Sequence, residues 1–206
     1  MLGSNERATY DLAESRVADQ YDSPWKEAIE RHFPDFLQFF FPAAHAQVDW
    51  SKPITFLDQE LRAVARDAEL GTRYVDKLVE LTQLDGQPEK VYVHLEVHGS
   101  EQAEFAERMF VYNYRLYDKY RLPIASMAVL ADERSHWPPT AFGYEALECQ
   151  MGIRFPVAKL LDWAGSEARL EDSDNPFAIV TLAHLATQAT RHDMEGRKGA
   201  KWTLLR

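Results

Sequence analysis

A chain of 206 residues, 46% hydrophobic and 27% charged, is long enough for one domain with a substantial core and too balanced in composition to be disordered at length. Its 23 basic and 33 acidic residues leave a net charge of −10, which opposes a general affinity for nucleic acid. The single cysteine, Cys149, excludes an intrachain disulfide framework, and the polar, acidic run from Met1 to Ser15 has no signal-peptide character, so a cytoplasmic location is expected.

Taken in chain order, residues 1–19 lack sustained periodicity and read as a mobile or partly helical leader ahead of a single domain over 20–190. Ser23-Pro24 is a helix start, with Ser at the cap and Pro at the first helical position, and that helix runs to about Arg31 before Pro34 breaks it. The apolar run Phe36-Leu37-Gln38-Phe39-Phe40-Phe41 is far shorter than the roughly 20 residues that span a bilayer, so no membrane segment is expected. A second helix fits Phe56 to Leu70, with Leu57, Leu61, Val64, Ala65 and Ala68 inward and Gly71 closing it. Two β-like segments follow, 74–81 and 91–98, joined through the turn signal Asp85-Gly86. Glu101 to Tyr120 reads as a helix with Phe105, Met109, Tyr112, Leu116 and Tyr120 near one face. Ile124 to Ala131 is nearly all apolar, as in a strand covered on both sides, and Leu147, Cys149, Met151, Ile153 and Phe155 alternate along a further strand. Asn175-Pro176 opens a last helix to about Thr190, and 191–206 forms a basic tail in which five basic residues face two acidic ones, a local +3. This order predicts an α/β domain with a mixed central sheet and helices on both faces.

The hairpin carries the chemistry. Alternation places Tyr92, His94, Glu96 and His98 on one face and Val91, Val93, Leu95 and Val97 on the other. Folding about Gly86 sets Asp76 directly opposite Glu96, and like charges so opposed destabilise a sheet. Such a pair calls for a cation, a raised pKa or another register. Three readings compete for this face. It is a solvated surface; or His94, Glu96 and His98 bind zinc; or a Mg²⁺ or Mn²⁺ ion sits on the carboxylates and keeps its waters. Four strand residues separate the two histidines by roughly 13 Å, which argues against the zinc reading. Farther along, Arg108, Arg115 and Lys119 form a stripe beside the apolar face of their helix, either a solvated edge or a surface for phosphates. No Gly-rich phosphate loop, CxxC pair or GxSxG elbow is present.

Asp76, followed some twenty residues later by Glu96-Val97-His98 on the next strand, resembles the signature of the PD-(D/E)XK nuclease superfamily. The runs Tyr21 to Glu27, Phe56 to Leu61, Tyr74 to Val79, His94 to Gly99 and Phe105 to Arg115 are similar to the bacterial recombination-promoting nuclease/putative transposase family, across most of residues 20–163. The resemblance implies a restriction-endonuclease-like core and a Mg²⁺ (or Mn²⁺)-dependent DNA endonuclease. In that scheme Asp76 and Glu96 bind the ion, the Val97 carbonyl adds a ligand, and Glu27 on the first helix is the further acidic ligand, with Glu30 and Glu60 as rivals. His98 stands where the superfamily usually carries lysine. An unperturbed imidazole, with a pKa of about 6.5, is mostly neutral at pH 7, so it would orient or deprotonate the attacking water rather than hold a permanent charge. The helix after the Glu-x-basic strand borders the active site in the superfamily, which makes Arg108 and Tyr112 phosphate or metal-site neighbours and extends the DNA-binding stripe to Arg115.

DNA is thus the expected partner, no membrane is, and a homodimer is left open. Relatives in the resembling family continue beyond the helix that starts near Trp202, so the chain looks truncated or naturally short. The alternative is a catalytically inactive module that kept the scaffold and binds nucleic acid or a protein.

Overall fold

The computed structural model describes residues 25–66, 75–85 and 89–189. The expected leader, Gly71, Gly86 and the basic tail lie outside them.

The described chain is a mixed α/β fold. Residues 25–31 form helix α1, and α2 (Phe33–Phe40) restarts immediately with Pro34 in its first turn, where a missing N–H costs no helical bond. Phe33, Phe36, Leu37 and Phe40 recur at helical spacing and are buried, which turns one stripe of α2 into an aromatic wedge. After α3 (Pro42–His45) comes a five-stranded sheet in the order β1 (Thr55–Phe56), β2 (Val75–Thr82), β3 (Lys90–His98), β4 (Ile124–Leu130), β7 (Val157–Lys159). β1, β2 and β3 are antiparallel, whereas β3, β4 and β7 run parallel, so β3 is the hinge between the two pairing modes.

Helices cover both sides. On one, Val79, Leu81, Val91, Val93, Leu95 and Val97 pack with Met127 and Val129 against α1, α2 and Phe177 of α7 (Pro176–Ala189). The Phe36 and Phe177 rings meet edge to face at 5.1 Å. On the other, α4 (Asp58–Arg66) and α5 (Phe105–Tyr120) press Leu61, Met109, Tyr112 and Leu116 onto Leu78, Tyr92, Ala128 and Leu130. Asn175 caps α7 by accepting a hydrogen bond from the Phe177 N–H at 2.9 Å. Among the described residues no helix is long and apolar enough to cross a membrane.

Three expectations need correction. Phe56 does not open a helix: its backbone pairs with Val79 at the edge of β2, its ring packs on Phe33, and α4 begins at Asp58. The helix expected from Glu101 begins at Phe105. The alternating segment 147–155 is not part of the central sheet, because β7 occupies the free edge of β4. Instead β6 (Cys149–Arg154) pairs only with β5 (Ala141–Ala146) in a separate hairpin, most of whose residues are exposed. Only Ile153 and Phe155 reach the core, and Phe155 is buried.

The turn of that hairpin, Leu147-Glu148, has positive φ at both residues, 48° and 65°. Asn-Gly suits such a turn, since left-handed backbone costs an ordinary residue about 1–2 kcal/mol. Replacing the pair, Leu147→Asn with Glu148→Gly, should therefore raise the free energy of opening the hairpin by about 1–2 kcal/mol. Slower hydrogen exchange of the 141–154 amides, with unchanged exchange in β3, is the expected readout.

Candidate metal centre

The pairing of β2 with β3 sets Asp76 opposite Glu96, and Leu78 opposite His94, as the fold about residue 86 predicts. The polar face of β3 is nonetheless not solvated. Tyr92, His94, Glu96 and His98 are all buried, the last three with 0% exposure, because α5 lies across them. A carboxylate in that position needs compensation, since an unpaired charge in a low-dielectric interior is very costly.

Part of that compensation comes from α5. Arg108, itself buried, donates from one terminal nitrogen to Glu96 Oε1 and from the other to Gln102 Oε1 at 2.6 Å. Its guanidinium lies 5.2 Å from the centre of the Phe105 ring, a cation–π contact that holds the planar group in place. His98 Nδ1 stands 3.5 Å from the same Glu96 oxygen, with its ring packed on Phe105 at 5.1 Å and Trp137 at 6.0 Å. Burial, the largest single effect, pushes the Glu96 carboxyl upward, yet the neighbouring His98 and Arg108 together outweigh it and hold the group below its ordinary value. With Oε1 so engaged, Glu96 Oε2 is buried and has no hydrogen-bond partner among the described residues.

Asp76, His94 and Glu96 each offer one ligand atom, and these atoms all lie within 4.8 Å of one another. A buried Asp/His/Glu cluster able to coordinate a metal ion therefore occupies the middle of the sheet. The orphaned Glu96 oxygen and the mixed oxygen–nitrogen donor set both fit a divalent cation. Asp76 is its half-buried member.

The expected residues thus separate. Asp76 and Glu96 come together, joined by His94 in place of His98. Asp76 has two diagonal neighbours on β3, His94 and His98, and sequence spacing treats them alike. The solvated reading of this face is overturned by α5. His98 lies in an aromatic surround, both of its ring nitrogens buried and without hydrogen bonds among the described residues. Val97 sits in the ladder between Val75 and Val129, with its side chain in the opposite core. Glu27 is exposed and outside the cluster. Glu30, one of its rivals, instead pairs with Lys77, whose buried ammonium is also held by Asp58 at the start of α4. Arg108 and Tyr112 are too deeply buried to touch DNA, with exposures of 4% and 0%, and are neighbours of the site instead. The Tyr112 ring meets His94 edge-on at 5.4 Å. Arg115 is half-buried and Lys119 exposed. Comparison with protein-family models, with curated proteins and with solved structures finds no match to this chain.

Two outcomes follow for the metal-free protein. Truncating Arg108 strands Glu96, so Arg108→Ala should lose about 3–5 kcal/mol in urea unfolding. Because the folded-state value of Glu96 lies below its ordinary 4.5, the stability that this group supplies is present above that value and is lost as pH falls through the lower, folded one. Stability measured against pH should decline on the acid side of about 4.5. In Glu96→Gln that component of the decline should vanish.

Proposed function

We propose that the chain is a metal-dependent DNA endonuclease of the recombination-promoting type, with a restriction-endonuclease-like core, which hydrolyses phosphodiester bonds. The observation that carries this reading is the convergence of Asp76, His94 and Glu96, with Asp76 opposite Glu96 across an antiparallel strand pair. The position of α5, directly after the Glu96 strand and against the site, adds support.

Asp76, Glu96 and His94 would hold Mg²⁺ or Mn²⁺. When bound, the ion lowers the pKa of a water nucleophile and stabilises charge developing on the phosphate. The remaining work falls to the protein. Arg108 fixes the Glu96 carboxylate and keeps it ionised, so that its second oxygen stays available to a ligand. His98, with 0% exposure and 3.5 Å from Glu96, is better placed to steady that carboxylate than to collect a proton from an attacking water. Asp76 marks the side from which a phosphate approaches. Arg115 and Lys119 extend basic charge away from Arg108 along α5, a local counterweight to the overall net charge of −10.

One observation favours the second reading, a nuclease-like module without catalysis that binds nucleic acid or a protein partner. Arg108 already supplies Glu96 with a positive charge, as a bound ion would. A thermal-shift titration separates the two. At one hundred times its dissociation constant, an ion that binds only the folded chain stabilises it by about 2.7 kcal/mol. A rise in Tm in millimolar Mn²⁺ supports a metal centre, and an unchanged Tm supports the inactive module. For the nuclease, Asp76→Ala and Glu96→Gln should each abolish Mn²⁺-dependent nicking of supercoiled plasmid while circular dichroism remains that of the parent. Undiminished cleavage by Asp76→Ala would trace the activity to a contaminant and remove the proposal.

A further inference from the structure

The imidazole in the cluster has a consequence for which ion the centre takes. Hard oxygen donors suit Mg²⁺, which holds its water and binds through one or two carboxylates. A neutral imidazole nitrogen adds little for Mg²⁺ but bonds well to first-row transition ions. His94 is not adventitiously close: it is buried with 0% exposure, fixed in the middle of β3 and pressed edge-on by Tyr112.

Behind it lies a support. His94 Nδ1 is 3.4 Å from Ser126 Oγ on the adjacent β4, where parallel pairing sets Ser126 beside His94. Ser126 Oγ in turn accepts a hydrogen bond from Asn113 Nδ2 at 3.1 Å, and Asn113 is tied to the Ile124 carbonyl at 2.8 Å. Ser126 is itself buried. A hydroxyl oxygen that accepts from Asn113 has a second lone pair for a proton on His94 Nδ1. A proton there leaves Nε2 deprotonated, the form in which a ring nitrogen coordinates a metal. Outer partners of this kind set the tautomer and ring orientation of metal-bound histidines.

We infer that the centre selects a first-row transition ion over Mg²⁺, with His94 Nε2 as the discriminating ligand and Ser126 and Asn113 as positioning residues that fix its tautomer; Mn²⁺, the least nitrogen-seeking ion of that row, is the most stringent probe. This inference rests on the metal-centre reading above. Asp76 and Glu96 give the site its charge and serve either ion; His94 serves one of them.

The test is calorimetric titration of the full chain with Mn²⁺ and, separately, with Mg²⁺, alongside pulsed electron-spin measurements on Mn²⁺-loaded protein carrying ¹⁵N-histidine. The wild type should bind Mn²⁺ about tenfold or more tighter than Mg²⁺ and show coupling to a histidine nitrogen. His94→Gln should lose that coupling and most of the preference while its Mg²⁺ affinity changes little. Ser126→Ala should weaken Mn²⁺ by about tenfold or more, and Ser126→Thr, which keeps the hydroxyl, should recover it. Equal affinities for the two ions, or Mn²⁺ bound without nitrogen coupling in the wild type, would overturn the inference and leave a carboxylate centre standing. Binding of neither ion would overturn both. The spin measurement needs only the wild type, so a misfolded variant does not protect the idea.

Discussion

Two carboxylates opposed across a strand pair, with helix packed over them, form the constraint on which the rest of the structure depends. In water the repulsion between Asp76 and Glu96 would be modest. Beneath α5 it would be prohibitive without nearby positive charge or donors. The side chains around Glu96 read as answers to that demand. Arg108 comes from the helix above, its guanidinium clamped between Gln102 and the Phe105 ring, and His98 closes the remaining approach. One oxygen of Glu96 is thereby satisfied, and the other has no hydrogen-bond partner among the described residues. A site built this way places its ionic partners before any ion arrives, which is the preorganisation that a metal centre needs.

The same arrangement explains why the two functional readings lie so close together. An arginine that secures a catalytic carboxylate and an arginine that replaces a lost metal occupy the same position and make the same bond. The third member of the cluster is an imidazole within reach of both carboxylates, with buried Ser126 and half-buried Asn113 behind it, a donor that a divalent ion could use and that charge neutralisation by Arg108 does not require.

Much of this was legible in the chain. The period-two alternation of 91–98 and the Asp85-Gly86 signal were enough to set Asp76 against Glu96, and the apolar run 124–131 identified a strand buried on both sides. Other features were hidden for physical reasons. Alternation says which face a residue takes but not what covers it, so the helix lying over His94 and Glu96 was invisible until packed. Strand spacing is also symmetric about Asp76, whereas the folded sheet favours one diagonal. Tertiary context overrode propensity at Phe56, which a free sheet edge captured from the helix that periodicity had assigned it to. The alternation of Leu147 to Phe155 was real but served a projecting hairpin, because strand pattern cannot reveal which partner edge is already occupied.

Asp76 and Lys77 are neighbours with opposite charges on opposite faces of β2. If β2 slipped by a single residue, every side chain would change sides. Lys77 would then stand across from Glu96, neutralising it with no ion and no arginine, while Leu78 and Val79 would exchange one apolar surface for another. Locally that slipped strand looks the better paired. What forbids it lies elsewhere: Lys77 would abandon Glu30 and Asp58, and Asp76 would be driven among the phenylalanines of the far side. The acids that grip Lys77 therefore act as a ratchet, holding the strand in the one alignment that keeps its rival carboxylates together.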